Sequence, residues 1–275
     1  MSSSRTPLSV YLYLASRRVY RLVGDICAGA FDGFWLGIFG RDTHNKVVEH
    51  QYRDSMEYRS DSYNLGGLFP WEEKVIASHF ADCRRILVGG AGGGREMIAL
   101  ARLGHEVDGF ECNAQLTEYA NELLAREEIP SSVELVSPDM CPNVDDPYDG
   151  VIIGWCAYMH IQGRSRRVEF LRSLRHALKP GAPVLLSFWH ITRPARRRLR
   201  ITQRVATPLR RLLHRERITL GDSMVPHRVH YFDDETLGHE LALAGFELKF
   251  YHPWFGHEYG HALVVVCDEP AVNDA

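Results

Sequence analysis

The sequence predicts an α/β protein wound on both faces of a mostly parallel, seven-stranded sheet, with one antiparallel strand in the edge region, an N-terminal helical cap and a basic helical insertion. Three observations predict it. Strand-like and helix-like segments alternate from about residue 85 onward, which is the rhythm of successive βαβ units. An apolar run, Ile86-Leu87-Val88, leads straight into five glycines and then a helical pattern. The last two strand-like segments, 247–252 and 261–266, are close enough to pair as a hairpin, which reverses one of them.

Taken in order, residues 8–39 carry a helical pattern in which Tyr11, Leu14, Tyr20 and Leu22 stand among arginines, followed by Phe31, Phe34, Trp35 and Phe39. Asp32-Gly33 is expected to break this helix. The segment reads as a cap packing on the core, with a membrane-surface or lipid contact as the alternative, because basic residues flank an aromatic face. Residues 44–80 are rich in Tyr, Asp and Glu and end in a short helix over 72–80. Strands follow at 85–89, 106–111, 133–136, 150–154 and 184–188, with helices at 96–103, 115–126 and 165–178. Residues 192–217 interrupt the rhythm with ten arginines, and a helix at 236–244 precedes the final strands. The expected organisation is a cap over 1–80, a core over 81–191 and 228–268, and an Arg-rich insertion or lid over 192–227.

Composition narrows the class. With 45% hydrophobic and 24% charged residues, the chain can bury a core. A net charge of −3 gives no global attraction to a polyanion. The six cysteines form no CxxC pair, so no disulfide framework or metal is expected. Ala28-Gly29-Ala30 looks like a cleavage site, but Arg17, Arg18, Arg21 and Asp25 interrupt the apolar stretch that a signal peptide needs. A cytoplasmic protein, at most in peripheral contact with a membrane, is expected; the sequence leaves its oligomeric state open.

The chemistry concentrates in the glycine loop, Gly89-Gly90-Ala91-Gly92-Gly93-Gly94. Residues without a Cβ let the backbone turn sharply while a ligand lies against it, and the N–H groups of the next helix favour a polar or anionic group. A dinucleotide fingerprint starting at Gly90 would need glycine where Arg95 stands. The spacing present is G-x-G-x-G, at Gly90, Gly92 and Gly94. With it the chain resembles the class I S-adenosylmethionine (SAM)-dependent methyltransferases, over roughly 80–190 and more loosely 228–267.

That resemblance implies SAM as cofactor and assigns further positions. Gly90, Ala91, Gly92 and Gly94 would line it, and Glu111, ending the second strand beside Cys112, would take the ribose hydroxyls. The alternative for Glu111 is a solvated strand-end acid. Asp139 and Met140, in Ser137-Pro138-Asp139-Met140, would meet the adenine, although an acid at such a place also simply caps a turn. Gly154 and Trp155, ending the fourth strand, would lie by the methionine end, where Trp155 equally suits a core aromatic. The family's frequent Asp is replaced by Val88, so the cofactor's amino group must be met elsewhere, by water, a backbone carbonyl or the region of Tyr58, Tyr63 and Trp71.

Methyl transfer from a sulfonium is an in-line displacement, so alignment and exclusion of water matter most. His160 is placed by the resemblance over the methyl donor as a base, and equally reads as a histidine that organises its loop; Tyr158, His190, His227 and His230 are weaker candidates. Gly154-Trp155-Cys156-Ala157 stands where an Asn-Pro-Pro-Tyr motif would hold a nucleobase or glutamine nitrogen. A small-molecule acceptor is therefore expected, aromatic, lipophilic or anionic, with O- or N-methylation. A SAM-binding regulatory or scaffold protein without transfer activity is the competing class. The Arg-rich insertion reads as a solvated lid or as a site for acidic substrate or anionic membrane; it lacks the interleaved aromatics of RNA-binding segments, and no nucleic-acid partner is expected. His257-Glu258-Tyr259-Gly260-His261 matches a zinc-protease string, but it runs into a strand rather than a helix, so zinc is not expected.

Overall fold

A computed structural model describes residues 7–54, 56–254 and 257–267. The chain opens with α1 (Leu8–Ile38), α2 (Arg41–Asp54), a one-turn α3 (Asp61–Asn64) and α4 (Pro70–His79). The alternating part runs β1 (Arg85–Gly89), α5 (Arg95–Arg102), β2 (Glu106–Glu111), α6 (Ala114–Arg126), β3 (Val133–Leu135), β4 (Gly150–Ile153), α7 (Arg164–His176) and β5 (Pro183–Trp189). Then come α8 (Arg193–Leu212), a hairpin of β6 (Asp222–Met224) and β7 (Arg228–His230), α9 (Asp234–Leu243), β8 (Phe246–Pro253) and β9 (Tyr259–Val266).

Seven strands form one sheet in the order β3-β2-β1-β4-β5-β9-β8. Neighbours from β3 to β5 are parallel, whereas β9 is antiparallel to both β5 and β8. The reversed strand is thus one place in from the edge, and β8 forms the edge. The order reverses between β1 and β4, and ligands of such sheets sit beyond the carboxyl ends of the strands at that point. After Arg85, strands β1 and β4 carry no polar side chain because both faces are covered: Leu87, Val151 and Ile153 face one buried cluster, Ile86, Val88 and Ile152 the other.

One expectation is corrected. Asp32-Gly33 does not break α1, which continues to Ile38. Gly29, Gly33 and Gly37 lie four residues apart and form the surface on which α8 packs. A Cβ on Gly33 would lie 2.7 Å from the carbonyl oxygen of Thr202, and one on Gly37 2.8 Å from Leu209. These glycines serve close helix approach rather than a turn. Asp32 is buried, where its carboxylate accepts a hydrogen bond from Ser223 in β6. The basic insertion has the helical character expected of it. It is a 20-residue helix running parallel to α1, with Ala195, Leu199, Thr202, Ala206 and Arg210 buried. The hairpin β6/β7 straddles the boundary expected at residue 227, and α2 falls in a stretch for which the sequence suggests no helix.

Candidate active site

Every turn of the glycine loop has a local cause. β1 delivers Gly89, whose carbonyl accepts from Gly154 N–H at 2.8 Å and ties the loop to the end of β4. Gly90, Gly92 and Gly94 have φ of 63°, 56° and 95°, the left-handed region where a Cβ is strained. A Cβ on Gly90 would meet Ala157 at 2.6 Å, and one on Gly93 would meet the Tyr58 carbonyl and the Asn64 amide. At Gly92 a Cβ would meet nothing within 4 Å, because that position faces open space.

The space is a cavity of about 530 Å³. Gly90, Ala91, Gly92, Glu111, Cys112, Asp139, Met140, Trp155 and His160 all line it. Gly94 and Gly154 do not: Gly94 starts α5 and faces Ala120, and Gly154 backs onto Gly90. The fold therefore brings eight of the ten expected cofactor positions, together with His160, to one cavity.

Glu111 is buried and accepts from Gly92 N–H (3.0 Å), Cys112 N–H (2.8 Å) and Asn113 N–H (2.9 Å). A carboxylate has about four acceptor positions, so roughly one remains for a ligand hydroxyl. Asp139 has φ 67° and accepts from Arg41 at 2.8 Å, with Arg166 at 3.8 Å. Burial raises its pKa, and the two guanidiniums oppose that shift.

At the methionine end the sequence offered Tyr58, Tyr63 and Trp71 in place of the missing acid. Tyr58 and Tyr63 line the cavity, joined by two residues that sequence reasoning missed, Asn64 and Glu96. Asn64 is buried; its amide nitrogen donates to the Tyr58 and Ser60 carbonyls, while its Oδ1 has no partner. Glu96 accepts from Arg95 at 2.6 Å and from Trp155 N–H at 3.3 Å. Arg95 in turn forks onto Glu72 at 2.7 and 2.8 Å, fixing α4 to the loop. Trp155 packs on Phe69 and Tyr259, with ring centres 5.1 and 4.9 Å apart.

The opposite wall comes from α2, through Asn45, Val48 and Tyr52, and from the turn after β4, through His160 and Ile161. The His160 imidazole is 3.4 Å from the Tyr52 hydroxyl and its ring centre is 4.8 Å from that of His227. Burial, reinforced by His227, lowers its pKa to about 3, so the ring is neutral near pH 7. His227 is also buried and neutral, its pKa lowered to about 4 by burial. Of the other candidates, Tyr158 lines the cavity but donates its hydroxyl proton to Glu240, while His230 is buried against Asp222. His190 bonds the His257 carbonyl. His261 lies on strand β9, and among the described residues no group of His, Cys, Asp and Glu is arranged to hold a metal ion.

Residues 86–181 match the family description of a methyltransferase domain. No curated protein matches the chain. Among solved structures, the chain is similar to the CcbJ methyltransferase of Streptomyces caelestis, at 18% identity over 80% of this chain and 99% of that one, with a TM-score of 0.58. It is similar to a SAM-dependent methyltransferase of Methanosarcina mazei, at 18% identity over 74% and 100% with a TM-score of 0.56. It is also similar to the 1,6-didemethyltoxoflavin-N1-methyltransferase of Burkholderia thailandensis, at 15% identity over 84% and 92% with a TM-score of 0.58; that structure holds 1,6-didemethyltoxoflavin and S-adenosylhomocysteine.

With the sheet order and the glycine loop at its switch point, the matched domain makes the core a class I, Rossmann-like methyltransferase. The protein is a SAM-dependent methyltransferase, and SAM is its cofactor.

Proposed function

We propose that this enzyme methylates an oxygen or nitrogen atom of a small organic acceptor held between α2 and the turn carrying His160. The observation that carries this reading is the single cavity: one wall is the glycine loop, the other is Val48, Tyr52, His160 and Ile161, and about 530 Å³ is within the ~300–1,000 Å³ typical of small-molecule sites. The Burkholderia N1-methyltransferase, similar in fold, holds 1,6-didemethyltoxoflavin, which supports a small-molecule acceptor here.

Bound SAM supplies a sulfonium methyl whose carbon–sulfur bond breaks as the bond to the acceptor forms, leaving a neutral thioether. The residues present fit this cofactor. The open face of Gly92 admits its backbone-hugging part, and the remaining acceptor position of Glu111 suits a ribose hydroxyl. Asp139 and Met140 border the adenine end. The unpartnered Asn64 Oδ1 and the Glu96 carboxylate replace the acid absent at Val88 and receive the ammonium group. Tyr63 and Trp155 close that end against water, which is worth more here than acid–base chemistry.

His160 accepts a hydrogen bond from the acceptor's O–H or N–H and thereby orients its lone pair. With its pKa lowered to about 3, it is too weak a base to take that proton beforehand. Methylation of an oxygen makes its proton acidic enough to pass to the imidazole, whereas a methylated amine keeps its proton and leaves as the ammonium, to be neutralised by water.

Tritiated-methyl SAM incubated with size-fractionated cell extract tests this reading. Label should enter the low-molecular-mass fraction, and His160→Ala should slow it roughly a hundredfold, the lower end of what a positioned base supplies. Label confined to protein or nucleic acid would contradict it.

A further inference from the structure

The first turns of α1 do no work for the core. Every residue from Pro7 to Gly24 is exposed, across about five helical turns. Their apolar stripe is nonetheless regular: Leu8, Leu12, Ala15, Val19, Leu22 and Ile26 are spaced by four and three residues and lead into Gly29, where α8 takes over as the packing partner. Leu8, Leu12 and Val19 are 72%, 63% and 60% exposed, far more than scattered surface aliphatics explain. The segment's only charges are Arg17, Arg18 and Arg21, all cationic.

Alongside it, α8 carries Arg193, Arg197, Arg200, Arg204 and Arg211, whose spacing places them on one helical face, all exposed. Among the described residues only Arg197 of these five has an acidic partner, Asp25 at 3.4 Å. Because the two helices run parallel, Arg193, Arg197, Arg200 and Arg204 of this row flank Leu22 and Ile26 and form a shallow groove with them. No single helix among the described residues is long and apolar enough to cross a bilayer. An exposed aliphatic and tyrosine face bordered by a row of arginines is the arrangement of a helix lying along a membrane surface.

We propose that α1 and the arginine face of α8 dock the enzyme on an anionic lipid bilayer, the aliphatic face of residues 8–26 entering the headgroup boundary while the arginines meet lipid phosphates. Charge selects this occupant. A second copy of the chain would bring no acid between Pro7 and Gly24 to meet the arginine row of α8. A nucleic acid would satisfy the arginines but leave Leu8, Leu12 and Val19 in water.

Co-sedimentation of the full chain with vesicles tests the proposal. Vesicles of phosphatidylcholine with about one-third phosphatidylglycerol should pellet the protein, and pure phosphatidylcholine should do so much less. A juxtamembrane arginine contributes about fivefold in affinity, so Arg193→Gln, Arg200→Gln and Arg204→Gln together should weaken binding about a hundredfold. Leu12→Asp with Val19→Asp should abolish it. None of these residues lines the cavity, so calorimetric SAM affinity should stay unchanged in both variants, which separates this outcome from a failure of the methyltransferase site. Absence of vesicle binding, binding indifferent to the arginine substitutions, a soluble dimer abolished by Leu12→Asp, or arginine-dependent binding of an RNA oligonucleotide in place of vesicles would each overturn it.

Discussion

Arg167 and Glu240 show how single residues hold the wall behind the cavity. Both are buried, and the guanidinium forks onto the carboxylate at 2.8 and 2.5 Å while the Tyr158 hydroxyl donates to the same group at 3.1 Å. Removing one partner strands a buried charge, so Glu240→Ala should destabilise the protein by about 3–5 kcal/mol. Urea unfolding checks this; a loss under about 1 kcal/mol would mean that water replaces the carboxylate. The residues of this kind were the least legible in the sequence. Gly90 and Gly92 announce themselves through the spacing of the loop, and Glu111 and Asp139 through the family resemblance that this spacing carries. Arg167 and Glu240 stand 73 residues apart in the chain, and Asn64, whose own hydrogen bonds are local, meets Gly93 only in the folded protein, so no local spacing marks them.

At the scale of elements, the alternation of strand-like and helix-like segments located all seven strands of the sheet, most plainly β1 and β4, whose apolar runs are buried on both faces. The same reasoning misjudged α1. Asp32-Gly33 reads as a breaker because glycine and aspartate usually serve turns, yet here Gly29, Gly33 and Gly37 clear the path for α8, and Asp32 bonds Ser223. The helix α2 escaped notice because its apolar residues are few. A test belongs at the α1/α8 contact: Gly33→Leu should force the helices apart and cost about 1–3 kcal/mol or more, while Gly24→Leu, where a Cβ meets nothing within 4 Å, should be close to neutral. Equal melting temperatures for the two variants would show that the close approach is dispensable.

Across the molecule, burial keeps several histidines neutral. His44 and His160 have pKa values lowered to about 3 and His227 and His261 to about 4, with burial the largest cause in each. In the unfolded chain they titrate near 6.5. The folded state thus binds fewer protons between those values, so stability is full above about pH 6.5 and falls as pH drops toward 4, by up to roughly 1 kcal/mol per pH unit for each histidine. Melting temperature should hold from pH 7.5 to about 6.5 and then decline steadily to pH 5, and His44→Met should flatten the decline; a level profile throughout would remove the histidines from the account. What unites the scales is the bare loop after β1, at the point where the sheet order reverses. Calorimetric titration of SAM into the wild-type chain and Gly92→Val tests it most directly. One equivalent should bind to the wild type, and the variant, its valine side chain occupying the cavity and its φ of 56° disfavouring any β-branched residue, should lose binding while still unfolding cooperatively. Equal affinity in the two proteins, or no binding by the wild type, would contradict the placement of the cofactor in this cavity.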